Sequence, residues 1–167
     1  GVQGDIQCRN WNIAGDLEQL LLRGGITYQP EMADVKMTLG YGHIITGVYG
    51  SDKSTSSESR IYQEVLFPVQ FGNRLHTNHR FRYEQRFAEN QALRTRYRYN
   101  VFLNIPLNKA EMDNKTLYLA LYNEIFINGQ RNIGNGNSVE IFDRNRLYTA
   151  LGYMIQKRRK VQLGVMR

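Results

Sequence analysis

The sequence predicts an all-β fold, and specifically an antiparallel transmembrane β-barrel. Apolar and polar side chains alternate in nine runs of roughly ten residues, the length of a tilted membrane-spanning strand. Longer and shorter connections also alternate between these runs, as in barrels of the outer membrane, although the connection 106–115 fits this rule poorly. The 11 tyrosines and 7 phenylalanines, beside 3 prolines, are typical of a strand-rich chain. No stretch approaches the roughly 18 apolar residues of a membrane-spanning helix.

The alternation is clearest in the hairpin formed by residues 74–87 and 93–105. Even positions carry arginine and other polar side chains, whereas most aromatic and aliphatic side chains fall on odd positions. A period of two places these sets on opposite faces of a strand. In a transmembrane barrel the apolar face meets lipid and the charged face lines the lumen. A soluble basic β-sandwich or lipocalin-like barrel is the alternative, but nine runs with outward apolar residues favour the membrane barrel.

The remaining runs follow from the same parity and from turn composition. In the second run, Asp16 followed by Gln19 also permits a short capped helix before Gly24. The segments 47–57 and 128–140, rich in Ser, Gly and Asn, are predicted to be the two long loops. The predicted strands cover residues 2–11, 17–28, 35–42, 58–69, 74–87, 93–105, 117–127, 144–155 and 161–165.

Nine strands would leave the two chain ends on opposite sides of a membrane. An antiparallel barrel usually has an even number of strands. We therefore expect a full protein of 10 or 12 strands, of which nine are visible, with strand material missing at both ends. All of residues 1–167 are assigned to one domain, which is expected for this length.

The formal net charge of +7 comes from 16 arginines, 6 lysines and 15 acidic residues. Arginine is preferred over lysine where carboxylates or phosphates must be bound by a planar donor in a confined space. The arginines are interleaved within the strands and form no single patch, which argues against a nucleic-acid-binding domain. The single cysteine, Cys8, excludes an intrachain disulfide and a thiolate metal cluster.

Eleven arginines and five carboxylates share the inward parity. The simplest interpretation is a network in which arginines, carboxylates and tyrosines fill the lumen and hold the strands in register, because an unpaired buried charge is costly. The alternative is that the surplus positive charge selects anions in a water-filled pore. The main predicted members of the network are Arg23, Arg60, Glu64, Arg80, Arg82, Glu84, Arg86, Arg94, Arg96, Arg98, Tyr122, Glu124, Arg144 and Arg146.

A lipid-active enzyme is the third interpretation. His79, Asn123 and Asn145 have lipid-facing parity but are polar. Nearby hydroxyls are supplied by threonines such as Thr77, and no serine shares this parity within a strand, so the usual activated nucleophile is missing. We expect no enzyme activity, no cofactor and no metal site, because the three histidines are too scattered to ligate one ion.

Five ordered motifs lie along the chain: Gly15–Arg23 (GDLEQLLLR), Glu58–Gln63 (ESRIYQ), His79–Phe87 (HRFRYEQRF), Tyr122–Asn128 (YNEIFIN) and Phe142–Tyr148 (FDRNRLY). Together they resemble a family of uncharacterised Gram-negative outer-membrane β-barrels, domain of unknown function family 2490. The resemblance spans nearly the whole chain. It implies a barrel fold and an outer-membrane location, and it supplies no catalytic or binding residues.

We therefore expect a structural or accessory barrel of the Gram-negative outer membrane, with an arginine-rich and largely plugged lumen. Its partners would be the membrane lipid and other envelope proteins that dock on the loops 47–57 and 128–140. A small anion-selective pore is the alternative function.

Overall fold

The computed structural model describes residues 1–11, 15–50, 54–72, 75–156 and 159–167. Throughout these ranges the chain is all-β and contains no helix. No helix long and apolar enough to cross a membrane is therefore found in them. The strands are β1 (Val2–Asn10), β2 (Leu17–Tyr28), β3 (Lys36–Gly47), β4 (Thr55–Phe71), β5 (Leu75–Ala88), β6 (Arg94–Pro106), β7 (Thr116–Asn128), β8 (Asn132–Gly134), β9 (Asn137–Ser138), β10 (Phe142–Gln156) and β11 (Arg159–Met166).

Nine of these strands form one antiparallel sheet in the order β1-β2-β3-β4-β5-β6-β7-β10-β11. Each large strand pairs with its neighbour along the chain, and the sheet curls into a half-barrel with a concave and a convex face. The nine predicted runs are thus confirmed as strands. The helical alternative for the second run is wrong, because β2 pairs on one side with β1 and on the other with β3.

The first long loop is shorter than predicted. In the structure β3 ends at Gly47 and β4 begins at Thr55. Residues 45–47 pair with residues 55–57, so both ends of the expected 47–57 loop belong to strands. The connection is 48–54, of which 51–53 lie outside the described residues. The sequence also predicts a tight turn at Gly72 and Asn73 and a basic turn at 157–160, and residues 73–74 and 157–158 lie outside the described residues. Arg159 and Lys160 belong to β11.

The second long loop, 129–141, carries a small hairpin made of β8 and β9. This hairpin packs on the connection 89–93, where Ala92 donates its backbone N–H to the carbonyl of Ile133 at 2.8 Å. Asn135 Nδ2 adds a hydrogen bond to the carbonyl of Asn90 at 2.7 Å. Gly134 has φ +89°, and Asn90 and Asn135 also adopt positive φ, so residue types that tolerate this conformation shape the contact. The loop is therefore fixed against its neighbour.

The two faces of the sheet have opposite polarity. Charged and polar side chains at the predicted inward positions lie on the concave face, where several of them are buried. Glycines on this face make room for long neighbours: a Cβ at Gly40 would lie 2.2 Å from Cζ of Tyr62. Large apolar side chains are exposed on the convex face, including Ile26, Leu39, Ile61, Phe81, Tyr97, Leu147, Leu151 and Leu163.

A small hydrophobic cluster lies at one end of the concave face. Tyr118 is 0% exposed and packs against Ala120, Ala150 and Met112, which comes from the connection 107–115. The Tyr118 hydroxyl accepts a hydrogen bond of 2.9 Å from Gln162 Nε2. A cavity of about 490 Å³, which Met112 and Met154 help to line, lies beside this cluster.

Candidate functional site

An arginine–carboxylate network covers the centre of the concave face. The register places arginines directly opposite one another, Arg60 against Arg86 and Arg82 against Arg98. Like charges in directly opposite positions repel. Carboxylates two residues away along the strands bridge these pairs. Glu58 contacts both Arg60 and Arg86, and Glu84 contacts both Arg82 and Arg98. The period-two alternation thus places the predicted site residues on one surface.

Glu84 lies at the middle of the network and is 1% exposed. Its carboxylate accepts hydrogen bonds from Arg96 Nη2 at 2.6 Å and from Arg98 Nη1 at 2.7 Å. Arg82 Nη1 at 3.6 Å and Arg60 Nη1 at 3.9 Å complete the surrounding positive charge. Four guanidinium groups therefore stabilise one ionised carboxylate away from water.

Glu124 forms the second buried centre. Its Oε1 accepts hydrogen bonds from Arg98 Nη2 at 2.7 Å and Arg80 Nη2 at 2.8 Å, and the Tyr122 hydroxyl donates to Oε2. Arg98 binds both Glu124 and Glu84 and so connects β5 to β7 across β6. Arg98 is therefore the side chain that links the Glu84 centre to the Glu124 centre.

Two further glutamates anchor the β4 side. Glu58 binds Arg86 through both of its oxygens at 2.7 Å and also accepts from Arg60. Glu64 accepts from Arg82 Nε at 2.7 Å. The Arg82 guanidinium also lies 4.4 Å over the ring of Tyr62.

The β1–β2 edge contributes a separate and more exposed pair. Arg23 donates from Nε and Nη2 to the two oxygens of Asp5 at 2.9 and 2.7 Å. This bidentate pair holds β1 to β2.

Three predicted site residues at one end of the sheet are arranged differently. Arg94 donates to Gln91 Oε1 at 2.9 Å, and Arg144 contacts Asp143 at 3.3 Å with half of its side chain exposed. Arg146 lies 5.0 Å over the ring of Phe126 and has no carboxylate partner among the described residues. We call this end, which carries the connections 11–16, 48–54, 89–93 and 129–141, the arginine end.

Four guanidinium groups surround the ring of Phe126. Arg98 and Arg146 lie 4.6 and 5.0 Å from its centroid, and Arg96 and Arg144 lie 5.4 and 5.7 Å away. A phenyl face attracts cations, but each such contact contributes only about 0.5–2 kcal/mol. Arg96, Arg98 and Arg144 also contact carboxylates, so Arg146 is the member of this group whose described side-chain contact is the ring alone.

Asp143 is a network residue that the parity rule missed. The register of β10 with β7 shifts between Phe142 and Arg144, so a β-bulge turns Asp143 toward the concave face. There it lies 3.4 Å from Arg96 Nη1. Its charge at a formally lipid-facing position was the signal that could have identified it.

A cavity of about 520 Å³ lies over the network and opens toward the arginine end. It is bounded by β1 and β2 on one side and by β10 on the other, so Arg9 and Arg146 face the same space. Nine arginines but only two glutamates line it. The described lining of the cavity therefore carries an excess of positive charge. A group of residues suited to hold a metal ion is not found in the described part of the chain.

The polar residues on the convex face do not converge. His79 Nδ1 contacts the Tyr99 hydroxyl at 2.8 Å and His79 Nε2 contacts Thr77 Oγ1 at 2.9 Å. Thr77 donates its hydroxyl proton to the carbonyl of Val69 at 2.9 Å, so the histidine donates to the threonine and does not activate it. This arrangement differs from a nucleophile paired with a base.

Asn123 lies two strands from His79 in the register and instead donates to Asn145 Oδ1 at 2.8 Å. The three residues considered for lipid hydrolysis therefore form two separate structural contacts.

The fold and the network define an all-β protein whose curled antiparallel sheet has an arginine-rich concave face. The chain belongs to the family described as protein of unknown function (DUF2490), whose family model matches residues 1–167. The family membership predicted from the five motifs is thereby confirmed. The outer-membrane location stays a prediction, since the family description states no location. No curated protein and no solved structure matches the chain.

Proposed function

We propose that this protein is a structural or accessory β-barrel of the Gram-negative outer membrane, with its lumen occupied by the arginine–carboxylate network. The observation that carries the proposal is the inverted polarity of the sheet. Glu84 and Glu124 are each 1% exposed on the concave face, whereas Leu163 is 85% exposed on the convex face. In water, buried charges and a continuous exposed apolar surface are both unfavourable. In a bilayer the same convex surface is solvated by lipid.

Closure of the barrel is part of the proposal. Eight antiparallel pairings connect β1 to β11, so these two edge strands run in the same direction. An entirely antiparallel barrel therefore requires an odd number of additional strands between them. One or three such strands would give the predicted total of 10 or 12. Closure would also satisfy the backbone groups on the outer edges of β1 and β11, as a bilayer requires.

The occupied lumen favours a structural role over transport. The network joins β4, β5, β6, β7 and β10 through side chains, and the carboxylates of Glu84 and Glu124 are buried at its centre. A solute that crosses the centre of the concave face would have to displace these ion pairs. The side-chain network would instead hold the strands in register inside a membrane.

Membrane insertion and conductance test this function. The full-length protein should require detergent or lipid vesicles to remain monodisperse, and it should resist extraction from vesicles by alkaline carbonate. In planar bilayers with KCl gradients it should show absent or brief currents. A protein that is monodisperse in buffer without detergent would contradict the membrane proposal.

A small anion-selective pore is the second candidate. The cavity of about 520 Å³ and its excess of arginines favour it. A steady anion-selective current would support the pore if it is lost when Arg94, Arg96 and Arg98 are replaced by glutamine. That result would replace the structural role.

We also propose that the connections 48–54 and 129–141 dock other envelope proteins. Both lie at the arginine end, and the docked β8–β9 hairpin presents a preformed surface. Deleting both connections should remove any partner that co-purifies with the protein. If every partner is retained, this docking proposal is wrong.

A further inference from the structure

We infer that the arginine end is a binding site for a compact polyanion of the phosphate class, such as a diphosphate group. The inference rests on the proposed function in placing the concave face inside a barrel. It extends that function by naming a ligand class for the cavity. The site would consist of Arg9, Arg144 and Arg146, which line the cavity together with Phe126.

The distribution of charge along the strands is the first argument. In the centre of the sheet, Glu58, Glu84 and Glu124 each contact at least two arginines, so their negative charge is already shared. At the arginine end, Asp143 is divided between Arg96 and Arg144. Positive charge is therefore left over beside the cavity, which nine arginines and two glutamates line.

The register concentrates this charge further. Arg60, Arg86 and Arg94 occupy directly opposite positions on three neighbouring strands, and a single carboxylate, Glu58, bridges the first two. Arg94 hydrogen-bonds only a neutral side chain, Gln91, among the described residues. Uncompensated guanidinium groups in a confined space repel one another, and an added anion would relieve this repulsion.

The shape of the cavity is the second argument. Arg9 enters it from β1 and Arg146 from β10, so cations reach the space from opposite sides. A volume of about 520 Å³ admits a ligand with several charged groups and accompanying water. Planar guanidinium forks bind the paired oxygens of phosphates in a bidentate manner.

The two halves of the concave face differ in their charged side chains. In the centre, the carboxylate of Glu84 is 1% exposed and already binds Arg96 and Arg98, so these arginines have a partner. Toward the opposite end, a second cavity of about 490 Å³ has Lys160 and several amides, but no arginine, in its described lining. The excess of arginines is therefore a feature of the arginine end, where we expect the anion to bind.

Titration calorimetry of the full-length protein in neutral detergent micelles tests this inference. Inorganic pyrophosphate and tripolyphosphate are the probes, in a buffer of low chloride because salt screens the attraction. We expect saturable binding that weakens at least tenfold in the double variant Arg144→Gln, Arg146→Gln. The matched control Arg159→Gln, Lys160→Gln removes the same two charges from exposed positions of β11 at the opposite end and should change the affinity less than twofold.

The outcomes separate the possible explanations. Absence of saturable binding, or an equal loss in the control, overturns the inference. If the double variant does not fold by circular dichroism, Arg144→Gln alone, at a half-exposed side chain, should still weaken binding several-fold. Phosphatidic acid in the same micelles tests a lipid phosphate: tighter binding than pyrophosphate assigns a lipid source, and weaker binding assigns a dissolved anion.

The inference and the proposed function can fail independently. A protein that inserts into vesicles but binds no probe rejects only the anion site. A protein that binds pyrophosphate but remains monodisperse in buffer without detergent rejects only the membrane barrel.

Discussion

Replacing Glu84 by glutamine tests the stabilising role of the network most directly. Glutamine preserves the size of the side chain but removes the charge that four arginines surround. Removing one partner of a buried ion pair typically costs about 3–5 kcal/mol, because the remaining charges stay buried and repel one another. Glu84 is 1% exposed, so solvent screening does not reduce this value. We expect a loss of about 4 kcal/mol in the free energy of unfolding.

The loss can be measured by urea unfolding in lipid vesicles, followed by the fluorescence of the single tryptophan, Trp11, which packs edge-on against Tyr49. With a slope of about 2 kcal/mol per M urea, the midpoint should fall by roughly 2 M. The matched control is Glu89→Gln, because Glu89 is exposed and accepts one hydrogen bond from Ser57. It should cost less than about 1 kcal/mol. Equal losses in the two variants would refute the reasoning.

Three further predictions concern the coupling, the packing and the convex face. In the same urea assay, the double variant Glu84→Gln, Arg96→Gln should lose less free energy of unfolding than the two single variants together. The difference should be about 1–3 kcal/mol, because the two side chains contact at 2.6 Å. Additive losses would show that the two residues are not coupled. Gly152→Ala should lower the free energy of unfolding by about 1–3 kcal/mol, because its Cβ would lie 2.3 Å from Cζ of Tyr118. Its control, Gly24→Ala, should change this free energy little, because no atom beyond its chain neighbours lies within 4 Å of the added Cβ. Phe81→Arg should destabilise the protein in vesicles by about 2–4 kcal/mol; a change within about 0.5 kcal/mol, as on a water-exposed surface, would contradict lipid contact.

The sequence predicts which side chains lie on the concave face, because successive side chains of an extended backbone point to opposite faces. Arg80, Glu84 and Arg98 reach the network without any knowledge of tertiary structure. The prediction fails where the backbone departs from this alternation. At the β-bulge before Arg144, one extra residue turns Asp143 inward, and the spacing of charged residues alone does not reveal the bulge.

Which arginines are paired could not be predicted either. Pairing depends on contacts across one or two strands, as when Arg80 on β5 reaches Glu124 on β7 at 2.8 Å. These contacts require the register of several strands at once, and parity supplies only the face. The β8–β9 hairpin was missed for a related reason, since its position depends on the long-range contact between Ile133 and Ala92.

The choice of arginine over lysine follows from the geometry of the network. Arg98 donates to Glu84 from one nitrogen and to Glu124 from two others, so one side chain connects two buried carboxylates. A lysine ammonium is a compact point charge that lacks this planar fork and is more strongly hydrated. Lysine at this position would therefore leave one of the two carboxylates with fewer hydrogen bonds. The same property that lets arginine bridge carboxylates in the centre equips the unpaired arginines at the arginine end to bind phosphate oxygens.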